Sequence, residues 1–138
     1  MLIELKRVDE DFSFEAKDAQ GHTVRMDAGA ATGGHDQGIR PMQMLLMGLG
    51  GCSAIDIVSI LKKQKQRIED FTIQIDGDRE PGKEPSLWES AVIRFLLKGD
   101  IDPGKAQRAV ELSMTKYCSV AETLRKSGTR LTWTVAVN

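Results

Sequence analysis

From Met44 to Leu61 the chain reads MLLMGLGGCSAIDIVSIL, eighteen residues in which Asp56 is the only charge. Pro41, just before it, suits the first turn of a helix, and Lys62, Lys63, Lys65 and Arg67, just after it, suit the negative end of a helix dipole. The segment is therefore read as one helix from Pro41 to about Gln66. A membrane span needs about 20 consecutive apolar residues. Here Ser53, Asp56, Ser59 and three glycines interrupt the run, which points to the core helix of a soluble protein and not to a membrane partner. This helix is apolar around its whole circumference, and such a helix has to be covered on every side. A short sheet covers one side only, so the other side calls for a second subunit, and an obligate homodimer is expected.

The rest of the composition narrows the function class. At 138 residues the chain is expected to form a single domain, 1–138. Nineteen Lys and Arg against twenty Asp and Glu leave a net charge of −1, without the basic excess of a nucleic-acid-coating protein. Met1 to Arg7 lacks an apolar signal core, so a cytoplasmic location with two free thiols is expected. Two cysteines and two histidines with no C-x-x-C or H-x-x-x-H spacing offer no structural zinc pattern. No G-x-G-x-x-G or phosphate loop is present either, and no metal or organic cofactor is expected.

Segments 2–8 and 11–17 alternate as strands, and His22 to Asp27 returns as a third after the Ala19-Gln20-Gly21 turn. Residues 28–39 carry four glycines and are expected to be a mobile loop bordering a site. Phe71, Ile73 and Ile75 mark a half-buried strand, and a Pro/Gly turn leads into a second from Trp88 to Lys98. Asp102-Pro103 is a helix start. Ala106, Ala109, Val110, Ser113, Met114 and Tyr117 follow on one face of that helix, Gly128 ends the helical region, and Leu131 to Val137 closes as a strand. The expected order βββ–α–ββ–α(α)–β is an α+β fold with a largely antiparallel sheet.

Cys52 and Cys118 are 66 residues apart but sit in like settings, Cys52-Ser53-Ala54-Ile55-Asp56 and Cys118-Ser119-Val120-Ala121-Glu122. Both read C-S-x-x-[DE], whose last four positions are the capping-box pattern. A serine cap would place each thiol beside a helix N-terminus, where the dipole favours a nucleophilic thiolate. Gly48, Gly50 and Gly51 suggest a helix break or a close backbone approach at Cys52. Asp56 shares a helix face with Cys52, and a carboxylate there raises a thiol pKa. Free cysteines also serve as ordinary core residues, so the residues alone leave packing and chemistry both open.

The run Pro41-Met42-Gln43-Met44-Leu45-Leu46-Met47-Gly48-Leu49-Gly50-Gly51-Cys52, with Lys116-Tyr117-Cys118-Ser119-Val120 and Leu124 downstream, resembles the OsmC/Ohr superfamily. The resemblance is strongest to its OsmC-like branch and covers nearly the whole chain. It implies an intertwined homodimer, with sheets wrapped around a pair of central helices and the two cysteines meeting at the subunit interface. It further implies reduction of organic hydroperoxides, with Cys52 as the peroxidatic thiolate, Cys118 resolving it as a disulfide, and an external dithiol as reductant. Met42, Met44 and Met47 are expected to line an apolar substrate pocket. The peroxidase branches carry, ten residues before the first cysteine, a glutamate that holds an arginine over the thiolate; here that position is Met42, followed by Gln43. Arg25 and Arg40 are the candidates for the thiolate's cation, while His35 is expected to be solvated. The alternative is a dimeric ligand-binding or redox-sensing protein of the same fold, with little turnover.

Overall fold

The computed structural model describes residues 1–138, which fall into two compact units, Met1–Leu45 and Leu46–Asn138. In the first, β1 (Glu4–Arg7), β2 (Phe14–Lys17) and β3 (Thr23–Met26) form an antiparallel meander. Its two turns are held by aspartates. Asp9 accepts the N–H groups of Asp11 and Ser13, and Asp18 accepts those of Gln20 and His22. Short polar side chains favour such turns because they replace backbone acceptors locally.

The 28–39 loop is folded around one aspartate. Asp27, only 2% exposed, accepts the N–H groups of Ala28 at 2.7 Å, His35 at 3.1 Å and Gln37 at 3.0 Å. Those bonds, that of Gln37 foremost, hold the Asp27 carboxyl below its ordinary pKa. The loop also contains a 3-10 turn, Ala30–Thr32. Its glycines allow a tight fold around one buried carboxylate, which sequence polarity alone does not reveal.

Helix α1 (Pro41–Lys63) starts at the proline as expected, ends three residues before Gln66, and runs unbroken through Gly48, Gly50 and Gly51. No helix break exists at the thiol. Of the three, Gly50 serves packing: a Cβ there would stand 3.2 Å from Ile75 of β4 (Arg67–Arg79), whereas one on Gly51 would meet nothing within 4 Å. A Cβ on Gly77 of that strand would meet Leu46 at 2.8 Å and the Trp88 ring at 3.0 Å. At both positions the side chains of neighbouring elements occupy the space a Cβ would need.

The second unit is built on β4, β5 (Trp88–Asp100) and β6 (Arg130–Val137), in the order β4-β5-β6. The β4–β5 hairpin is antiparallel, but β6 runs parallel to β5. The parallel pairing follows from the helical crossover between them, α2 (Pro103–Leu112), a π turn (Ser113–Tyr117) and α3 (Ser119–Lys126). β4 begins four residues earlier than its alternation suggests, because a register shift between Ile68 and Asp70 breaks the period of two. Asp102 caps α2 by accepting the Lys105 N–H at 2.9 Å. The core gathers Ile93, Phe95 and Leu97 of β5 with Ala106, Ala109, Val110 and Met114. Tyr117, expected on the same face, is half exposed. The π turn bonds Cys118 N–H to Ser113 C=O at 2.8 Å, and this wider turn rotates Tyr117 off the core face.

Within α1, Leu49, Gly50, Ser53, Ile57 and Leu61 are buried, a single stripe. Leu45, Met47 and Ile55 stand open, Ile55 at 73% exposure. By length and composition α1 would suffice to cross a membrane, yet its buried stripe is part of the core of the second unit.

Candidate active site

Two elements of the second unit bring the cysteines together. α1 carries Cys52 in its interior, and one turn later Asp56 on the same face. The π turn then delivers Cys118 to the start of α3. The two Sγ atoms and a carboxylate oxygen of Asp56 all lie within 4.8 Å of one another. Both thiols are free; Cys52 is half-buried and Cys118 only 3% exposed.

The local electrostatics differ from the double serine cap expected of the two C-S-x-x-[DE] stretches. Ser53 lies in mid-helix, and its hydroxyl donates back to the Leu49 carbonyl, so Cys52 has no helix N-terminus beside it. At the second stretch the cap is Cys118 itself, one residue earlier than expected. Its φ of −73° and ψ of 104° are extended, and its sulfur accepts the Ala121 N–H at 3.4 Å. Burial outweighs that bond and, with the Cys52 thiol alongside, pushes the Cys118 pKa up to about 11. Asp56 is oriented by Ser113, a fully buried residue whose hydroxyl donates to Oδ2 at 2.9 Å.

Two openings reach this cluster. A cleft of about 560 Å³ is lined by Asp56, Ile60, Lys63, Leu112 and Tyr117. Another of about 360 Å³ is lined by Cys118, Lys116, Glu122 and Arg125. Arg125 is half-buried, donates to the Met114 carbonyl and pairs with Glu122 at 3.0 Å. Neither Ser113 as a partner of Asp56 nor Arg125 was found from sequence. In the sequence Ser113 shows only its place on the apolar face of the helix expected after Asp102, and Arg125 only an i,i+3 spacing to Glu122.

Residues 34–134 match the family model described as OsmC-like protein. This chain belongs to the OsmC-like family. Protein YhfA of Escherichia coli K12 is 39% identical over 119 residues, covering 86% of this chain and 85% of its own. The crystal structure of a hypothetical protein from Aquifex aeolicus VF5 matches with a TM-score of 0.81 at 30% identity, over 99% of this chain and 96% of that one. An organic hydroperoxide resistance protein OsmC from Legionella pneumophila shares the fold, with a TM-score of 0.74 at 14% identity over 98% and 96% of the two chains.

The remaining residues expected in an OsmC-like site belong to the first unit or to the open face of α1. Arg25 stands 3.8 Å from Glu15, and Arg40 pairs with Asp36 at 2.9 Å and donates to the Gly38 carbonyl. Arg40 also lines an apolar cleft of about 570 Å³ with Leu5, Phe12, Phe14 and Met26. Met42 and Met44 are half-buried and Met47 is 51% exposed. His35 is exposed, and its Nε2 lies 2.6 Å from Asp11, whose hydrogen bond raises the imidazole pKa.

Proposed function

We propose that this OsmC-like protein, acting as one domain over residues 1–138, reduces organic hydroperoxides through Cys52 and Cys118. The observation that carries the reading is the juxtaposition of two free thiols from distant parts of the chain, one half-exposed and one buried. The half-exposed Cys52 is the group a peroxide can reach. Its thiolate attacks the peroxide oxygen, the O–O bond breaks, and the alcohol leaves with a proton, giving a sulfenic acid on Cys52. The Cys118 thiol then attacks that sulfur; water leaves and the disulfide forms. An external dithiol returns both thiols by exchange. Arg25 or Arg40 is assigned as the thiolate's cation, and Met42, Met44 and Met47 as apolar contacts for the alkyl part of the substrate.

The proposal includes a cytoplasmic homodimer. Its support is α1, whose apolar circumference is covered along one stripe while Leu45, Met47 and Ile55 stay open. A second reading, a redox sensor of low turnover, draws on Cys118: a thiol with a pKa pushed up to about 11 is protonated at neutral pH and resolves slowly.

The test is a titration of reduced protein with cumene hydroperoxide and a dithiol, following free thiol and remaining peroxide. Repeated turnover that Cys52→Ser abolishes, with Cys118→Ser halting after one equivalent, supports the enzyme. One equivalent consumed by the wild type, without turnover, supports the sensor. Thiols that stay reduced at millimolar peroxide overturn both. Among the arginines, Arg25→Ala or Arg40→Ala is expected to lower kcat/KM by about tenfold or more, as loss of a transition-state cation does. Light scattering at micromolar concentration checks the dimer, and a monomer defeats that part of the reading.

A further inference from the structure

We propose that the reduced protein binds one thiophilic divalent cation, of the zinc class, through Cys52, Asp56 and Cys118. Linear spacing hid this donor set, since it matches no two-cysteine or two-histidine motif. It arises only when α1 and the start of α3 meet, with three ligand atoms mutually within 4.8 Å. A tetrahedral zinc with bonds of about 2.0–2.3 Å needs ligand separations of roughly 3.3–3.8 Å. Small side-chain rotations of two cysteines and an aspartate span that difference.

The chemistry of the set is selective. Two sulfurs disfavour magnesium and calcium, which want oxygen, and favour zinc or its spectroscopic substitute cobalt. The carboxylate adds charge and is already held by a hydrogen bond from the buried Ser113 hydroxyl to Oδ2, the outer support that orients metal-binding carboxylates. Three protein ligands leave a fourth position for water or an added ligand, and the cleft beside Asp56 gives an entry path.

One consequence rests on the hydroperoxide reading, whereas the binding itself does not. A bound cation occupies both sulfurs and shields them from peroxide. When oxidation does occur, the two thiolates give two electrons to the hydroperoxide, whose O–O bond breaks; two protons are taken up, alcohol and water form, and the disulfide releases the ion. Oxidation and metal release are then one event.

The test is a titration of reduced full-length protein under argon with cobalt, then zinc in competition with a chromogenic chelator. One ion per chain is expected, with thiolate-to-cobalt charge-transfer absorption that Cys52→Ser and Cys118→Ser each diminish. Asp56→Asn is expected to weaken binding by at least about tenfold with the sulfur absorption kept, and Ser113→Ala by about tenfold. Serine is a good N-cap, so Cys118→Ser retains the start of α3, and far-UV circular dichroism verifies the fold of each variant. Wild-type protein that fails to saturate at tenfold excess overturns the proposal, and so does an Asp56→Asn variant that binds as tightly as wild type. Peroxide consumption by metal-free protein is measured separately. Turnover without metal binding defeats this inference and leaves the peroxidase reading standing; metal binding without thiol oxidation does the reverse.

Discussion

The stretches 52–56 and 118–122 share one five-residue pattern and meet at one cluster, yet they are different devices. The first lies deep inside a 23-residue helix, where backbone N–H groups are bonded to the preceding turn and none is left for a cap. Its serine turns back on the helix, and its acid, Asp56, turns inward to Ser113 and the thiols. The second follows a π turn that ends in an extended residue, so unpaired N–H groups exist and the thiol takes one of them. Its acid, Glu122, turns outward to Arg125 at 3.0 Å and Lys126 at 3.8 Å. A capping pattern acquires its meaning from the residues before it, because these decide whether any donor is unpaired.

Removing the two acids should break the comparison most visibly. Asp56→Ala leaves the buried Ser113 hydroxyl without its acceptor and should cost about 1–3 kcal/mol. Glu122→Ala loses only exposed ion pairs and should cost less than about 1 kcal/mol. Urea unfolding of both variants measures the difference. Equal losses would mean that Asp56 is no more embedded than a surface acid.

A second test separates the thiols by pH. The Cys118 pKa rises from 9.0 to about 11 on folding, chiefly through burial. Between those values the native state holds a proton that the unfolded state has released, so stability is intact below about pH 9 and falls as pH climbs toward 11. The loss should be of order 2 kcal/mol. In Cys118→Ser that share of the alkaline slope should vanish. If the wild type and Cys118→Ser lose stability in parallel over this range, the thiol is not desolvated as described.

What was legible in the sequence follows the range of the forces involved. The start of α1 at Pro41, the Asp102 cap and the start of β5 at Trp88 are set by neighbours a few residues away, and they stand where local rules place them. The early start of β4, the parallel pairing of β6 and the π turn are set by partner strands and crossovers, and periodicity does not encode them. At the site, the face shared by Cys52 and Asp56 was readable from a spacing of four. The meeting of Cys52 with Cys118 came from the family resemblance, since a separation of 66 positions carries no local signal of it. Ser113 as a partner of Asp56 and Arg125 beside Cys118 became visible only once the helices were packed.

The smallest effect is the sharpest test of which residue caps α3. If the sulfur of Cys118 accepts the Ala121 N–H, Cys118→Ser substitutes a stronger acceptor at the same position and should hold or slightly raise stability. Cys118→Ala removes the acceptor and should fall below Cys118→Ser by about 1 kcal/mol. Ser119→Ala, one residue into the helix with an exposed side chain, should stay within about 0.5 kcal/mol of wild type. The opposite order, with Ser119→Ala costly and Cys118→Ala neutral, would restore the serine as the cap. It would also remove the larger of the two backbone donors that favour charge on the buried thiol, leaving the Val120 N–H alone in that role.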